Sequence, residues 1–272
     1  MIEIGEALAL ARQMDEAISG KTVADAAFLS APHRFCWIGM DPAAAADRLR
    51  GRTVERVQAV GGRVVVRCSG GQNVAIGEDV TVRYCDPRLE KTQMLLSFAD
   101  GTNLTARVKL YGYLSVGGED ELRANPYYVA HADGIAPLSP DFTVERFART
   151  ATENPRLSVK ALLATGQRIP GVGNGTIQDV LWTARLRPET RVSALREEEI
   201  LRLYEALVGT TRAIAAAGGR ASFVDLHGNH GLYAERTRRP DGRCPACGTT
   251  IVEKAFLGGK VRYCPACQED RR

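Results

Sequence analysis

Gln167-Arg168-Ile169-Pro170-Gly171-Val172-Gly173-Asn174-Gly175-Thr176-Ile177 separates two helical patterns, and its reading decides the fold. Before it, Ser158 to Ala164 sets Val159, Leu162 and Leu163 on one helical face; after it, Ile177, Val180, Leu181 and Ala184 repeat the pattern. Pro170 and the glycines at 171, 173 and 175 are costly inside a helix but suit a connector that needs positive φ and close backbone approach. Asn174 stands at the predicted N-cap of the second helix. A glycine-rich turn that opens a helix exposes unpaired amides at the positive end of the helix dipole, a setting for a phosphate oxygen. An ordinary connection in a helical bundle fits the same local physics. A dinucleotide-binding loop does not, because the stretch is not GxGxxG and follows a helix rather than a strand.

On the N-terminal side, the chain opens into a predicted helix with Ile4, Leu8, Ala11, Met14 and Ile18 along one face and Gly20 as its stop. From Thr22 to Val116 the pattern changes to short runs with Gly/Asp turns: Val64 to Arg67, Val80 to Tyr84, Met94 to Phe98 and Leu104 to Leu110. Ala99-Asp100-Gly101-Thr102 is a hairpin turn signal, and the spacing predicts a β-sandwich with a short helix between Asp41 and Arg52. Asn125 to Pro140 is turn-rich and reads as an interdomain linker. Further helices are expected over Phe142 to Ala148, Ser158 to Gly166, Asn174 to Ala184 and Leu195 to Ala217, the last ended by Gly218-Gly219. Arg220 to Tyr233 then reads as a polar loop, whose His227 and His230 are ordinary surface histidines on this pattern.

The chain has 272 residues, 44% hydrophobic and 25% charged, which describes a soluble globular protein large enough for two domains. It shows neither an apolar run long enough for a bilayer nor a signal-peptide pattern, so a cytoplasmic protein is expected. Its formal net charge of +4 is carried by the tail from Ala234, a mild pointer to nucleic acid. Four of the seven cysteines lie in that tail, as Cys244-Pro-Ala-Cys247 and Cys264-Pro-Ala-Cys267, with 16 residues between the pairs. That spacing matches a tetrahedral four-cysteine zinc ribbon, and in a reducing cytosol one structural Zn²⁺ is favoured over disulfides. Cys36, Cys68 and Cys85 sit among apolar neighbours and are expected in the core.

Ser158-Val159-Lys160-Ala161-Leu162-Leu163, Gln167, Pro170-Gly171-Val172-Gly173-Asn174, Leu181-Trp182-Thr183-Ala184 and Arg187-Pro188 together resemble the helix–two-turn–helix of the formamidopyrimidine-DNA glycosylase/endonuclease VIII family. The resemblance runs the length of the chain. It implies an α+β protein: a leading helix and β-sandwich over 1–133, a helix–two-turn–helix domain over 134–233, and a zinc-ribbon finger over 234–272. In that family the matching lysine and asparagine grip phosphates around an extruded nucleotide, which assigns Lys160 and Asn174 to a DNA backbone.

The family opens Met-Pro-Glu-Leu-Pro-Glu, loses the methionine, and attacks C1′ of the damaged nucleoside with the proline nitrogen. Here Glu3 and Glu6 match, while Ile2 replaces the proline. A bulky Ile2 predicts that Met1 is retained, with its amine one residue ahead of the family's. An amine near its neutral form is a competent Schiff-base nucleophile, so Met1 or Ile2, with Glu3 and Glu6 handling protons, is the candidate catalytic group. Arg63 is the cation nearest the family's hairpin lysine and the candidate DNA contact there: an arginine can hold a phosphate bidentately but cannot act as a Schiff-base amine. Lys109 and Tyr111 resemble the pair that fills the gap left by an extruded base. Gly259 stands at the family's finger arginine, leaving Lys260 and Arg262 as the local charge.

The resemblance therefore implies a monomeric DNA-repair protein on duplex DNA with a damaged or abasic nucleotide, acting as a glycosylase and lyase. A lesion-binding protein of the same fold without the chemistry is the alternative. A third reading makes the ribbon a structural or protein-interaction element in a chain that never meets DNA.

Overall fold

Alternating apolar side chains build the N-terminal half into one antiparallel sheet, in a computed structural model that describes residues 1–88 and 90–269. After α1 (Ile4–Ile18) come β1 (Val23–Phe28), β2 (Cys36–Trp37), α2 (Pro42–Leu49), β3 (Val54–Val60), β4 (Arg63–Cys68), β5 (Gln72–Tyr84), β6 (Met94–Phe98) and β7 (Asn103–Gly117). The strand order is β1-β6-β7-β5-β4-β3, with β2 added parallel to β7. β5 and β7 pair along almost their whole length, from Asn73 opposite Gly117 to Tyr84 opposite Leu104. Between Glu78 (opposite Gly112) and Val80 (opposite Val108) the register slips, so Lys109, Leu110 and Tyr111 face Asp79 alone. Such a bulge bends the ladder and pushes the surplus residues outward. The two halves of the expected sandwich are thus continuous through β5 and β7. Their inner faces share one core, Val64, Val66 and Ile76 from one half meeting Val82, Leu96 and Leu104 from the other.

The leading helix buries two faces rather than the single one that its periodicity suggests. Leu10, Met14 and Ile18 enter the sheet core, while Ile4 and Leu8 pack in the helical half. Ser19 leaves the helix and Gly20, at φ 82°, turns the chain.

The stretch expected as a linker is partly helical. After α3 (Glu119–Arg123), the Asn125 carboxamide oxygen accepts from Tyr127 N at 2.9 Å and Pro126 takes the first turn, so α4 (Pro126–Ala132) forms. Leu122 and Tyr128 then pack on Val65, Ala75 and Tyr113, on the outer face of the sheet.

The helical half comprises α5 (Val144–Thr152), α6 (Val159–Ala164), α7 (Thr176–Thr183) and α8 (Glu197–Ala216), around Phe147, Leu162, Leu163, Ile177, Leu181 and Leu203. α7 begins at Thr176, and its N-cap is Gly175 rather than the predicted Asn174. The tail folds as a hairpin, β8 (Val252–Phe256) against β9 (Gly259–Tyr263), with Phe256 paired to Gly259 at its tip. Residues 270–272 of the expected ribbon lie outside the described residues. Among the described residues no helix is long and apolar enough to cross a membrane.

Candidate functional site

The first four residues thread between the bulge and the interhelical turn. The Met1 ammonium contacts Asp79 Oδ1 at 2.9 Å, Ile2 N donates to Glu78 O at 2.7 Å, and Ile4 N donates to Gly171 O at 2.8 Å. The Ile2 side chain is buried in the sheet core and the Ile4 side chain in the helical core. Met1 itself is exposed, so the one polar end of this segment faces solvent beside the bulge strand.

Glu3 and Glu6 are buried and are not free at that amine. The Glu3 carboxylate accepts from Gly175 N and Thr176 N, both at 2.8 Å, and from Arg220 Nη1 at 3.3 Å. Glu6 accepts from Arg220 Nε at 2.6 Å and from Glu3 N at 3.3 Å. Burial pushes the Glu3 carboxyl up, but Arg220 and the Thr176 and Gly175 amides reverse this and hold it below 4.5. The amides at the start of α7, expected to be open for a phosphate, are therefore occupied by a carboxylate from the chain's own beginning. This explains two of the glycines. A Cβ at Gly175 would lie 1.2 Å from Arg220 Nη1, and one at Gly173 would lie 2.6 Å from Glu3 Oε1.

Arg63 is placed differently from its reading as an exposed phosphate contact. It is 2% exposed, pairs with Glu78 Oε1 at 2.8 Å, and lies 4.5 Å over the Tyr113 ring. A guanidinium packs flat on an aromatic face in a way that a turn cation on bare sequence does not reveal. The adjoining turn also joins the two halves. Gly62 N donates to His131 Nδ1 at 3.0 Å, and a Cβ at Gly171, whose φ is 76°, would meet Gly62 N at 2.5 Å. Burial, with Arg63 nearby, lowers the His131 pKa to about 3, so the ring is a neutral acceptor.

Lys160, Asn174 and the finger hairpin form one cluster. Lys160 is buried; its Nζ donates to Phe256 O and to Leu257 O, and it faces the Phe256 ring at 5.7 Å. Burial lowers its pKa. Asn174 Nδ2 donates to Lys260 O at 2.9 Å, while its buried Oδ1 has no hydrogen-bond partner among the described residues. Gln178 Nε2 donates to the same carbonyl at 3.1 Å, and Gln178 Oε1 accepts from Arg262 N at 2.7 Å. Lys260 and Arg262 both pair with Glu253, the Lys260 side chain remaining 70% exposed. Lys109 and Tyr111 project from the bulge into solvent.

The four ribbon thiolates converge. All sulfurs of Cys244, Cys247, Cys264 and Cys267 lie within 4.8 Å of one another, with 3.8 Å between Cys244 and Cys267 and 3.5 Å between Cys247 and Cys264. Four bonds of about 2.3 Å to a tetrahedral zinc imply sulfur separations of about 3.8 Å, which this set fits. Trp182 Nε1 donates to Cys244 Sγ at 3.3 Å, tying the cluster to α7. Among the other cysteines Cys68 is buried as expected, Cys36 is half-buried, and Cys85 is exposed rather than in the core.

Sequence reasoning misses Asp79, Arg220 and Gln178. The last sits one helical turn after Asn174 and is open to discovery from that spacing. Arg220 reads only as the start of a loop, and neither it nor Asp79 carries a local signal.

A family model described as the formamidopyrimidine-DNA glycosylase H2TH domain matches residues 134–224. The formamidopyrimidine-DNA glycosylase of Geobacillus kaustophilus is 28% identical over 283 residues, covering 98% of this chain and 100% of its own length. That of Shouchella clausii is 30% identical over 192 residues, 67% of each chain. Among solved structures, the MutM (Fpg) protein of Thermus thermophilus is similar at a TM-score of 0.83 and 26% identity, with 98% of both chains covered. The Lactococcus lactis Fpg in complex with DNA containing an abasic site shares the fold at a TM-score of 0.84 and 20% identity, over 98% of this chain and 100% of that one.

Proposed function

Because the chain belongs to the formamidopyrimidine-DNA glycosylase/endonuclease VIII family, we propose that it binds duplex DNA at a damaged or abasic nucleotide and carries out base excision from its N-terminal amine. The observation that supports this most is the exposed Met1 amine, held 2.9 Å from Asp79 where the bulge and the interhelical turn meet. In this reading Lys109 and Tyr111 enter the duplex from the bulge, and Lys160, Asn174, Lys260 and Arg262 grip its backbone. The ribbon, with one Zn²⁺ on its four thiolates, holds the finger hairpin over Lys160.

The amine nitrogen bonds to C1′ as the base departs with the glycosidic electron pair, and Asp79 takes the proton that the amine gives up. The proton on Asp79 then passes to O4′ as the C1′–O4′ bond opens, leaving an imine at C1′; loss of a C2′ proton expels the 3′ phosphate, the lyase step, before water releases the chain. Asp79, not Glu3, is the carboxylate touching the amine. The protein acts as a monomer in the cytoplasm, at the nucleoid when on DNA.

The Arg220 contacts favour a second reading, a lesion-binding protein without chemistry. Glu3 is fixed as a charged cap of α7, and Arg63 is buried where a lysine amine is expected. Borohydride trapping on abasic-site DNA, with the adduct mapped and intact mass recorded, separates the two. An adduct on Met1 supports the enzyme; tight lesion-dependent binding with no adduct at Met1 or Ile2 leaves the binding protein.

A further inference from the structure

A concavity lies on the outer face of the sheet. It encloses about 880 Å³, within the roughly 300–1,000 Å³ common for sites that take small flat ligands. Four aromatic residues at its walls, Phe35, Trp37, Tyr111 and Tyr127, are each at least half exposed. They come from three separate segments. Phe35 precedes the short β2 and Trp37 ends it, the strand being held beside β7 by pairing of Cys36 with Gly112 and Trp37 with Tyr113. Tyr111 stands on the bulge with its ring 5.2 Å from Phe35, and Tyr127 stands on the first turn of α4. Folding alone does not require rings of this size to face water, and several converging on one space mark a binding surface.

The polar lining narrows the occupant. Arg63 and Glu78 are paired at the wall, so the site offers little net charge to a phosphate. Yet Arg63 Nε is buried with no hydrogen-bond partner among the described residues, and Ser115 lines the same cavity. Stacking faces with a few edge donors and acceptors suit a neutral heteroaromatic ring. None of residues 1–3 and none of 220–233 lines the cavity, so it is separate from the place the amine faces. It is continuous with the proposed DNA surface through Tyr111, whose bulge lies opposite Asp79.

We infer that this cavity receives an unstacked nucleobase of the bound DNA, held between Trp37, Tyr111 and Tyr127. The inference rests on the DNA-binding reading above. The base comes either from the strand opposite the lesion, once its partner is extruded, or from single-stranded DNA.

The test uses the full chain and two probes: a duplex with an abasic-site analogue opposite 5-iododeoxyuridine, and a single-stranded oligothymidylate carrying one 5-iododeoxyuridine. After irradiation the crosslinked residue is mapped. Crosslinks at Trp37 or Tyr127 are expected, since Tyr111 alone would also be reached from within the duplex, and whichever probe forms them identifies the source of the base. Trp37→Leu and Tyr127→Ala, both at exposed positions, should each weaken binding of that probe roughly tenfold. Unchanged affinity in the double variant, with crosslinks mapping elsewhere, overturns this inference and leaves the DNA-binding reading standing. Failure of the unmodified protein to bind either probe overturns both.

Discussion

Replacing Arg220 by methionine isolates the buried cluster that joins the chain's beginning to α7. The guanidinium contacts Glu3 at 3.3 Å and Glu6 at 2.6 Å, with all three side chains less than a tenth exposed. Removing the cation of a buried pair leaves uncompensated charge and typically costs about 3–5 kcal/mol. For a chain of this size each kcal/mol moves the melting temperature by about 2–4 °C, so a drop of about 6–20 °C is expected at neutral pH. The pH dependence gives a sharper check. In the native protein the Glu3 carboxyl sits below its ordinary 4.5, so its contribution is complete above that value and is lost as pH falls through the folded pKa. Without Arg220 the burial that pushes this carboxyl up is far less opposed, and the protonated group becomes the better tolerated form. The deficit of Arg220→Met should therefore shrink as pH is lowered from 7 towards 4.5. Thermal unfolding followed by circular dichroism across that range measures it. A melting temperature within about 2 °C of the parent at pH 7, or a deficit that does not change with acid, refutes the reasoning.

Lys160→Ala should weaken lesion binding and make the slope of log affinity against log salt shallower by roughly 0.9, whereas Asn174→Ala should weaken binding at unchanged slope; fluorescence anisotropy over a salt series separates them. His131, with its pKa lowered to about 3, contributes stability that is complete above about 6.5 and declines as pH falls through that interval. His131→Gln, which keeps an acceptor for Gly62 N, should flatten the melting curve's pH dependence between 4.5 and 6.5. Elemental analysis should find one zinc per chain, lost in Cys264→Ser. Limited proteolysis should then cut first in the hairpin Val252–Tyr263, while the helical circular dichroism stays close to that of the parent.

What is legible in the sequence is what local spacing encodes. The two Cys-x-x-Cys knuckles predict a thiolate cluster, and the pattern gives β6 its observed bounds because one face of it is buried and the other is not. β5 and β7 are visible only in part. The N-terminal half of β5 buries consecutive residues, Val74, Ala75 and Ile76, because α3 and α4 cover the sheet's second face, and alternation disappears there. The helices responsible are too short to show a period. Arg63 reads as a surface cation since nothing near it in sequence reveals Tyr113 or Glu78. The partner of Glu3 lies 217 residues away, and that of the amine 78. No pattern along a chain reports such pairings; three-dimensional closure creates them.

The seating of Ile2 and Ile4 in opposite bodies sets a mechanical limit. Two residues span at most about 7 Å when fully extended, so the sheet and helical halves cannot part at this point without pulling one isoleucine from its socket. Any rocking of one body on the other must take residues 2–4 as its fulcrum, where displacement is least. On the proposed reading, an amine mounted at such a fulcrum keeps its aim while the two bodies adjust to the width of the bound duplex.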